Sequence, residues 1–302
     1  MSESHAYSPS ANGASAPVPG QPWLRVTLLS FLLVVLLTAL YWRVLRDLGI
    51  QWWDDANYNH GFLVPLFSGF LVWRERHRLA REAPAGSLLG VLVLLAGIGA
   101  LLLGDIGAEN FLMRSSLIVI LAGLVLFLAG RRVFRIVLFP LSYLFFMVPL
   151  PAIAFYAVTF PLQRMAAEQA AWVLEMLGVP VLLDGNVIHL SQISLGVTEA
   201  CSGIRSLISL LAGSAAWAYL LLPLGWATVL FVAATVPITI IANAGRVVVT
   251  GLIGQWFGVE YASGFFHELA GWVVYVFAFA CMVGLHSLIQ FVRTRRHLET
   301  RP

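Results

Sequence analysis

Apolar residues in this chain fall in long uninterrupted runs. They do not alternate as in a half-buried strand, nor recur at three and four as on a soluble amphipathic helix. Runs long enough to cross about 30 Å of hydrocarbon lie at residues 24–44, 58–73, 87–104, 112–130, 134–150, 201–222, 225–243 and 267–292. The pattern predicts an all-α polytopic membrane protein with about eight transmembrane helices, the second being the shortest. Arg25 precedes the first run as in a signal peptide, but the run is long enough to span and lacks a small-residue cleavage site, so it reads as an uncleaved helix. Ahead of it, residues 1–21 are rich in Ser, Ala, Pro and Gly and carry too little apolar surface to offset the entropy of ordering them, which predicts a disordered tail.

The polar interruptions give the orientation. All 18 positive residues are arginine. Arg74, Arg76, Arg78 and Arg81 follow the second run, Arg131, Arg132 and Arg135 follow the fourth, and Arg293, Arg295, Arg296 and Arg301 follow the eighth. With eight spans all three clusters fall on one side, the cytoplasm by the positive-inside rule, and both termini are cytoplasmic. Residues 293–302 are then a basic cytoplasmic tail. The opposite loops carry Asp47, Asp54, Asp55, Asp105 and Glu109.

The sizeable stretch outside the runs, 151–200, falls on the outer face. In "FPLQRMAAEQAAWVLEMLG", Arg164, Glu168 and Glu175 form one polar stripe on an otherwise apolar helix opened by Pro161, which predicts an amphipathic helix lying in the membrane interface. In "VPVLLDGNVIHL", β-rich flanks surround Asp184-Gly185, a hairpin signal just before span six.

Composition removes other classes. The chain is 60% hydrophobic and 11% charged, with mean hydropathy +0.86, whereas soluble domains are about a quarter charged. The net charge of +3 reflects arginines at the ends of apolar runs, so it marks topology and membrane lipid rather than nucleic acid. Two cysteines without a C-x-x-C pair give neither a disulfide scaffold nor a structural zinc pattern. No metal or organic cofactor is expected.

Candidate chemistry gathers at the outer ends of the last three spans. Cys201 in "TEACSGIRSL" stands at the predicted start of span six, where unpaired amides and the helix dipole lower a thiol pKa below its reference of about 8.5. Arg205, one turn on, adds positive potential; a structural ion pair with Glu199 is the competing reading. Arg246 follows span seven on the side where the topology rule disfavours arginine, with Asn243 on the same face. His267 opens span eight, a position that opposes protonation of its imidazole and leaves it available as a base; His60 in "NYNHGF" competes for that role. Cys281, His189 and His286 read as structural. "HELAG" lacks the second histidine of a zinc protease, no aspartate falls inside a span, and "YASG" lacks the first glycine of a rhomboid-like motif.

"NYNHGFLVPLFSGFLVW", "GVPVLLDGNVIHL", "TEACSGIRSL", "IANAGRVVVTGLIG" and "FHELAGW", in that order, resemble the motifs of the exosortase and archaeosortase family of membrane cysteine transpeptidases. The resemblance makes residues 22–292 a single exosortase-like transmembrane domain, with 151–200 as a periplasmic insert, in a bacterial inner membrane. It implies a catalytic Cys201, Arg246 and His267; Arg205, Asn243, Glu199 and His60, read from their positions, are the candidates for the substrate side. It also implies a substrate: an exported protein carrying a C-terminal sorting signal of the PEP-CTERM type, namely a short motif, a transmembrane helix and a basic tail, cut in connection with exopolysaccharide export. The alternative class is a non-catalytic transport, export or assembly component for surface polysaccharide, which would form no covalent intermediate.

Overall fold

The computed structural model describes residues 22–198, 203–223, 225–262 and 265–299; the side chains of residues 22–27, 259, 262–268 and 296–299 lie outside the description. The tail expected at 1–21 is likewise outside it. The chain divides into two units, Met1–Leu45 and Arg46–Pro302. The first is described by the apolar part of helix α1 (Pro22–Asp54), and the account below concerns the second.

After α1 come a 3-10 turn (Asn59–Phe62), α2 (Leu63–Arg74), the short α3 (Arg76–Leu79), α4 (Leu89–Ile106), α5 (Asn110–Leu128) and α6 (Gly130–Tyr143). Then follow α7 (Ala152–Met176), a three-stranded sheet, α8 (Ile204–Leu221), α9 (Trp226–Phe257), the short α10 (Val259–Ala262) and α11 (Phe265–Glu299). Among the described residues six helices, α1, α4, α5, α8, α9 and α11, are long and apolar enough to cross a membrane; counting the bent pair Gly130–Met147 and Ala152–Met176 as one span gives seven.

Three of the eight expected spans have other bounds than expected. The second run spends its start on the 3-10 turn, so α2 has only 12 residues; at 1.5 Å per residue this is about 18 Å, less than the hydrocarbon thickness for α2 taken by itself. The fifth run ends at "VPLP", where Pro149 and Pro151 cannot continue a helix and disfavour helical geometry in the residues before them, and the chain turns by 77° into α7. The seventh does not stop at residue 243: "RVVVTGLIGQWF" supplies no break, and α9 runs for 32 residues to Phe257.

The amphipathic helix also begins earlier than expected, at Ala152, so Pro161 is interior. Its exposed Arg164 and Glu168 pair at 2.7 Å. Opposite them, Ala166, Ala167, Ala170 and Leu174 are buried in one core with Val247 and Val248 of α9 and with Ile188, Leu190, Ile193 and Val197 of the sheet region. Small residues on α7 let the end of α9 that carries Val247 and Val248 approach closely, so helix and sheet form one cap on α9.

The sheet is antiparallel in the order β1 (Leu182–Asp184), β2 (Val187–His189), β3 (Ser194–Gly196). Asp184 pairs with Val187, so the two-residue loop is Gly185-Asn186 rather than Asp184-Gly185. The Asn186 amide donates to the Val197 carbonyl (2.9 Å) and the Val197 N–H to the Asn186 carbonyl (2.8 Å), holding the strand that leads towards residue 201.

Candidate functional site

A cavity of about 680 Å³ opens where four segments meet, and its wall brings together His60, Arg205 and Arg246 with Gly203, Ser209 and Gly271. Their separation in sequence makes the folding of each segment part of the site.

His60 is placed by a stitched loop. The Trp52 indole N–H donates to the Met147 carbonyl (2.9 Å), the Leu150 N–H donates to the Tyr58 hydroxyl (3.1 Å), and the Asn57 N–H donates to Asp55 Oδ1 (2.9 Å). His60 Nε2 lies 3.2 Å from the Phe146 carbonyl. A carbonyl only accepts, so this bond puts the proton on Nε2 and leaves the Nδ1 lone pair facing Ser209 Oγ at 3.4 Å. Burial pushes the His60 pKa below its ordinary value of 6.5, partly opposed by the Phe146 carbonyl, so the ring stands neutral.

Arg205 is the second residue of α8, whose first is Ile204. It therefore stands in the first turn of the helix, exposed to the cavity. Gly203 precedes the helix with φ +79, in the left-handed region open to glycine. A Cβ on Gly203 would come within 2.8 Å of Asn243 Cγ. Asn243 is 3% exposed and backs the Gly203 turn from α9.

Arg246, one turn beyond Asn243, lies on the inward stripe of α9 that includes Thr239, Ala242, Val247 and Thr250. At 1.5 Å per residue it stands about 30 Å along the helix from Trp226, one hydrocarbon thickness from that end. A Cβ on Gly271 would sit 3.6 Å from Arg246 Nη2, so the bare backbone of α11 leaves room for the guanidinium. His267 belongs to α11, one turn before Gly271, and its side chain lies outside the described residues. Cys201 and Glu199 are outside them as well. The described residue nearest Cys201 on the C-terminal side is Gly203, which lines the cavity.

Sequence reasoning missed Ser206, Ser209, Trp272 and Tyr275 in this wall. Ser209 lies one turn after Arg205, a spacing that would have flagged it, and Tyr275 lies one turn after Gly271 on α11. The histidines read as structural have partners elsewhere: His189 Nδ1 with Ser194 Oγ at 2.8 Å, and His286 Nδ1 accepting from the Trp217 indole at 3.3 Å.

The described wall thus offers two guanidinium groups, two serine hydroxyls and a neutral imidazole, with no carboxylate among its described members. Such a lining suits an oxygen-rich, electron-rich ligand: a carbonyl, a carboxylate or the oxyanion formed from a carbonyl. Comparison with known proteins gives a match of residues 52–284 to the transmembrane exosortase family model. No curated protein and no solved structure matches the chain. The match takes in the His60 turn, the sheet, α8, α9 and most of α11, every segment that contributes to the cavity, and the chain belongs to the transmembrane exosortase family.

Proposed function

We propose that this protein is a cysteine peptidase or transpeptidase of the bacterial inner membrane that cuts the C-terminal sorting signal of exported proteins by acyl transfer. The observation that supports it best is the joint cavity of Arg205, Arg246 and His60, with Gly203, two residues after Cys201, in its wall.

The Cys201 thiol gives its proton to the His267 imidazole, and the thiolate attacks the scissile carbonyl carbon. The Arg246 guanidinium stabilises the resulting oxyanion; loss of one such donor typically costs about 10² to 10³ in rate. Collapse breaks the C–N bond, the imidazolium protonates the leaving amine, and a thioester remains for an amine or water to resolve. His60 is the weaker candidate for the base, because Nε2 is engaged with Phe146 and Nδ1 with Ser209. It serves instead as a neutral wall of the substrate channel, with Arg205 and Glu199 orienting the substrate and Asn243, expected among these groups, acting through the Gly203 turn it backs.

The orientation follows from α8. Arg78, Arg81, Arg132 and Arg135 gather with Tyr219, about 21 Å along that helix from Arg205. The positive-inside rule assigns the arginine-rich end to the cytoplasm, and hence the His60 cavity to the periplasmic face. The substrate is an exported protein whose tail combines a short PEP-CTERM-type motif, a transmembrane helix and basic residues, in a system linked to exopolysaccharide export.

The test is co-expression with such a tailed protein, scoring its size and trapping a thioester adduct. Cys201→Ala should abolish both, and Arg246→Ala and His267→Ala should cut the rate at least about 10²-fold. Normal processing by Cys201→Ala would overturn the enzymatic reading in favour of a transport or export component.

A further inference from the structure

A second cavity, of about 740 Å³, is lined by Arg78, Arg81, Arg132 and Arg135, by Glu82, and by a wall that includes Phe139, Ser142 and Tyr219. Its arginines come from two stretches far apart in sequence, the α3 segment and α6. On α6 the lining residues Arg132, Arg135, Ile136, Phe139 and Ser142 fall on one helical face. The floor is aromatic: Phe139 and Tyr219 stack face to face at 3.9 Å with an interplanar angle of 1°. At the rim, Glu82 lies 3.9 Å from Arg132, and Arg78 bonds Glu75 at 2.9 Å. Among the described residues no carboxylate pairs with Arg81 or Arg135.

The topology rule asks only that arginines lie on one side of the membrane. It does not ask two separate clusters to converge on one hollow with an apolar floor. A hollow with four guanidinium groups and one carboxylate is built for an anion with several acceptor oxygens, and the planar guanidinium matches phosphate oxygens two at a time. The site lies at the end of the candidate span α8, which finishes at Leu221, and Leu138 beside it is half exposed. There a phosphate attached to an acyl chain is within reach.

We infer that the hollow formed by the α3 segment, α6 and the end of α8 binds the phosphate headgroup of an anionic phospholipid. Arg81 and Arg135 are the principal contacts, and the acyl chains lie along the apolar side of α6. The bound headgroup bridges three segments that no described ion pair joins all together, and so stabilises the folded chain. This inference is independent of the peptidase reading.

The test uses the full chain in nanodiscs of phosphatidylcholine with and without phosphatidylglycerol, read by Tm and by native mass spectrometry of retained lipid. Wild type should retain phosphatidylglycerol and gain Tm from it. The variant Arg81→Gln/Arg135→Gln should keep its Tm in phosphatidylcholine and lose at least about tenfold in retention, the scale of one or two charge-assisted contacts. Arg293→Gln/Arg295→Gln, which removes as much charge elsewhere, should behave as wild type. Equal loss in that control, undiminished retention by the first variant, or equal retention of phosphatidylcholine by wild type would overturn the proposal. So would a Tm gain from inorganic phosphate alone equal to that from the lipid, which would make this a free-phosphate site.

Discussion

Replacing Gly203 by alanine perturbs the site at a point where two demands on one residue can be separated. Its φ of +79 costs an L-residue about 1–2 kcal/mol. The added methyl would also meet Asn243 Cγ at 2.8 Å and Cβ at 3.0 Å. Asn243 is 3% exposed, so the added methyl overpacks the interior, at about 1–3 kcal/mol. The expected loss is therefore about 2–5 kcal/mol, shared between global stability and displacement of the turn that leads from residue 201 into α8. Thermal or denaturant unfolding in a fixed membrane mimic measures the first part, and sorting-signal processing the second. The double variant Gly203→Ala/Asn243→Ala separates the components: removing the Asn243 side chain relieves the contact but leaves the φ cost. In a double-mutant cycle the pair should therefore show a favourable coupling of about 1 kcal/mol or more. A Gly203→Ala protein as stable and as active as wild type would refute the reasoning outright. Full loss without coupling would show that the backbone conformation alone is what matters.

Two further outcomes follow from the cavity wall. His60 is held neutral, its pKa below 6.5 in the folded chain; the unfolded chain binds the extra proton first, so stability should be intact above about pH 6.5 and fall as pH drops towards the folded value. His60→Gln should flatten that part of the pH–Tm curve, and an unchanged slope would locate the proton uptake elsewhere. At Gly271 a Cβ would make ordinary contact with the Arg246 guanidinium at 3.6–3.9 Å, so Gly271→Ala should process substrate within about threefold of wild type, as expected for a substitution that fits without strain. Gly271→Leu should displace the guanidinium and lose at least about 10²-fold in rate with little change in Tm; equal activity of the two variants would remove Arg246 from the reaction.

The sequence made the charged groups among the apolar runs legible and the helix ends much less so. Arg205 and Arg246 stood out because ionisable groups are rare in apolar runs, a signal carried by composition alone. The Asp-Gly signal located the β-hairpin within one residue of its turn, but the third strand left no mark, since Ser194–Gly196 owes its pairing to β2 rather than to its own pattern. Span bounds differed where length was read from hydropathy without regard to what breaks a helix. The 3-10 turn removed the start of α2, two prolines bent the fifth run, and α9 continued past residue 243 because an apolar protein surface welcomes "VVVTGLIGQWF" as readily as lipid does. That last difference bears on function. Had α9 ended at 243, Arg246 would sit on a loop free to swing. In a continuous helix clamped by α7 and the sheet, its guanidinium is carried on a rigid frame beside the cavity that Gly203 also lines, which the oxyanion role proposed for it requires, since such a donor must need no reorganisation when charge develops. The cap of α7 and β1–β3, which the sequence presents only as an interfacial helix and a hairpin, is thus the part of the fold that fixes where Arg246 can reach.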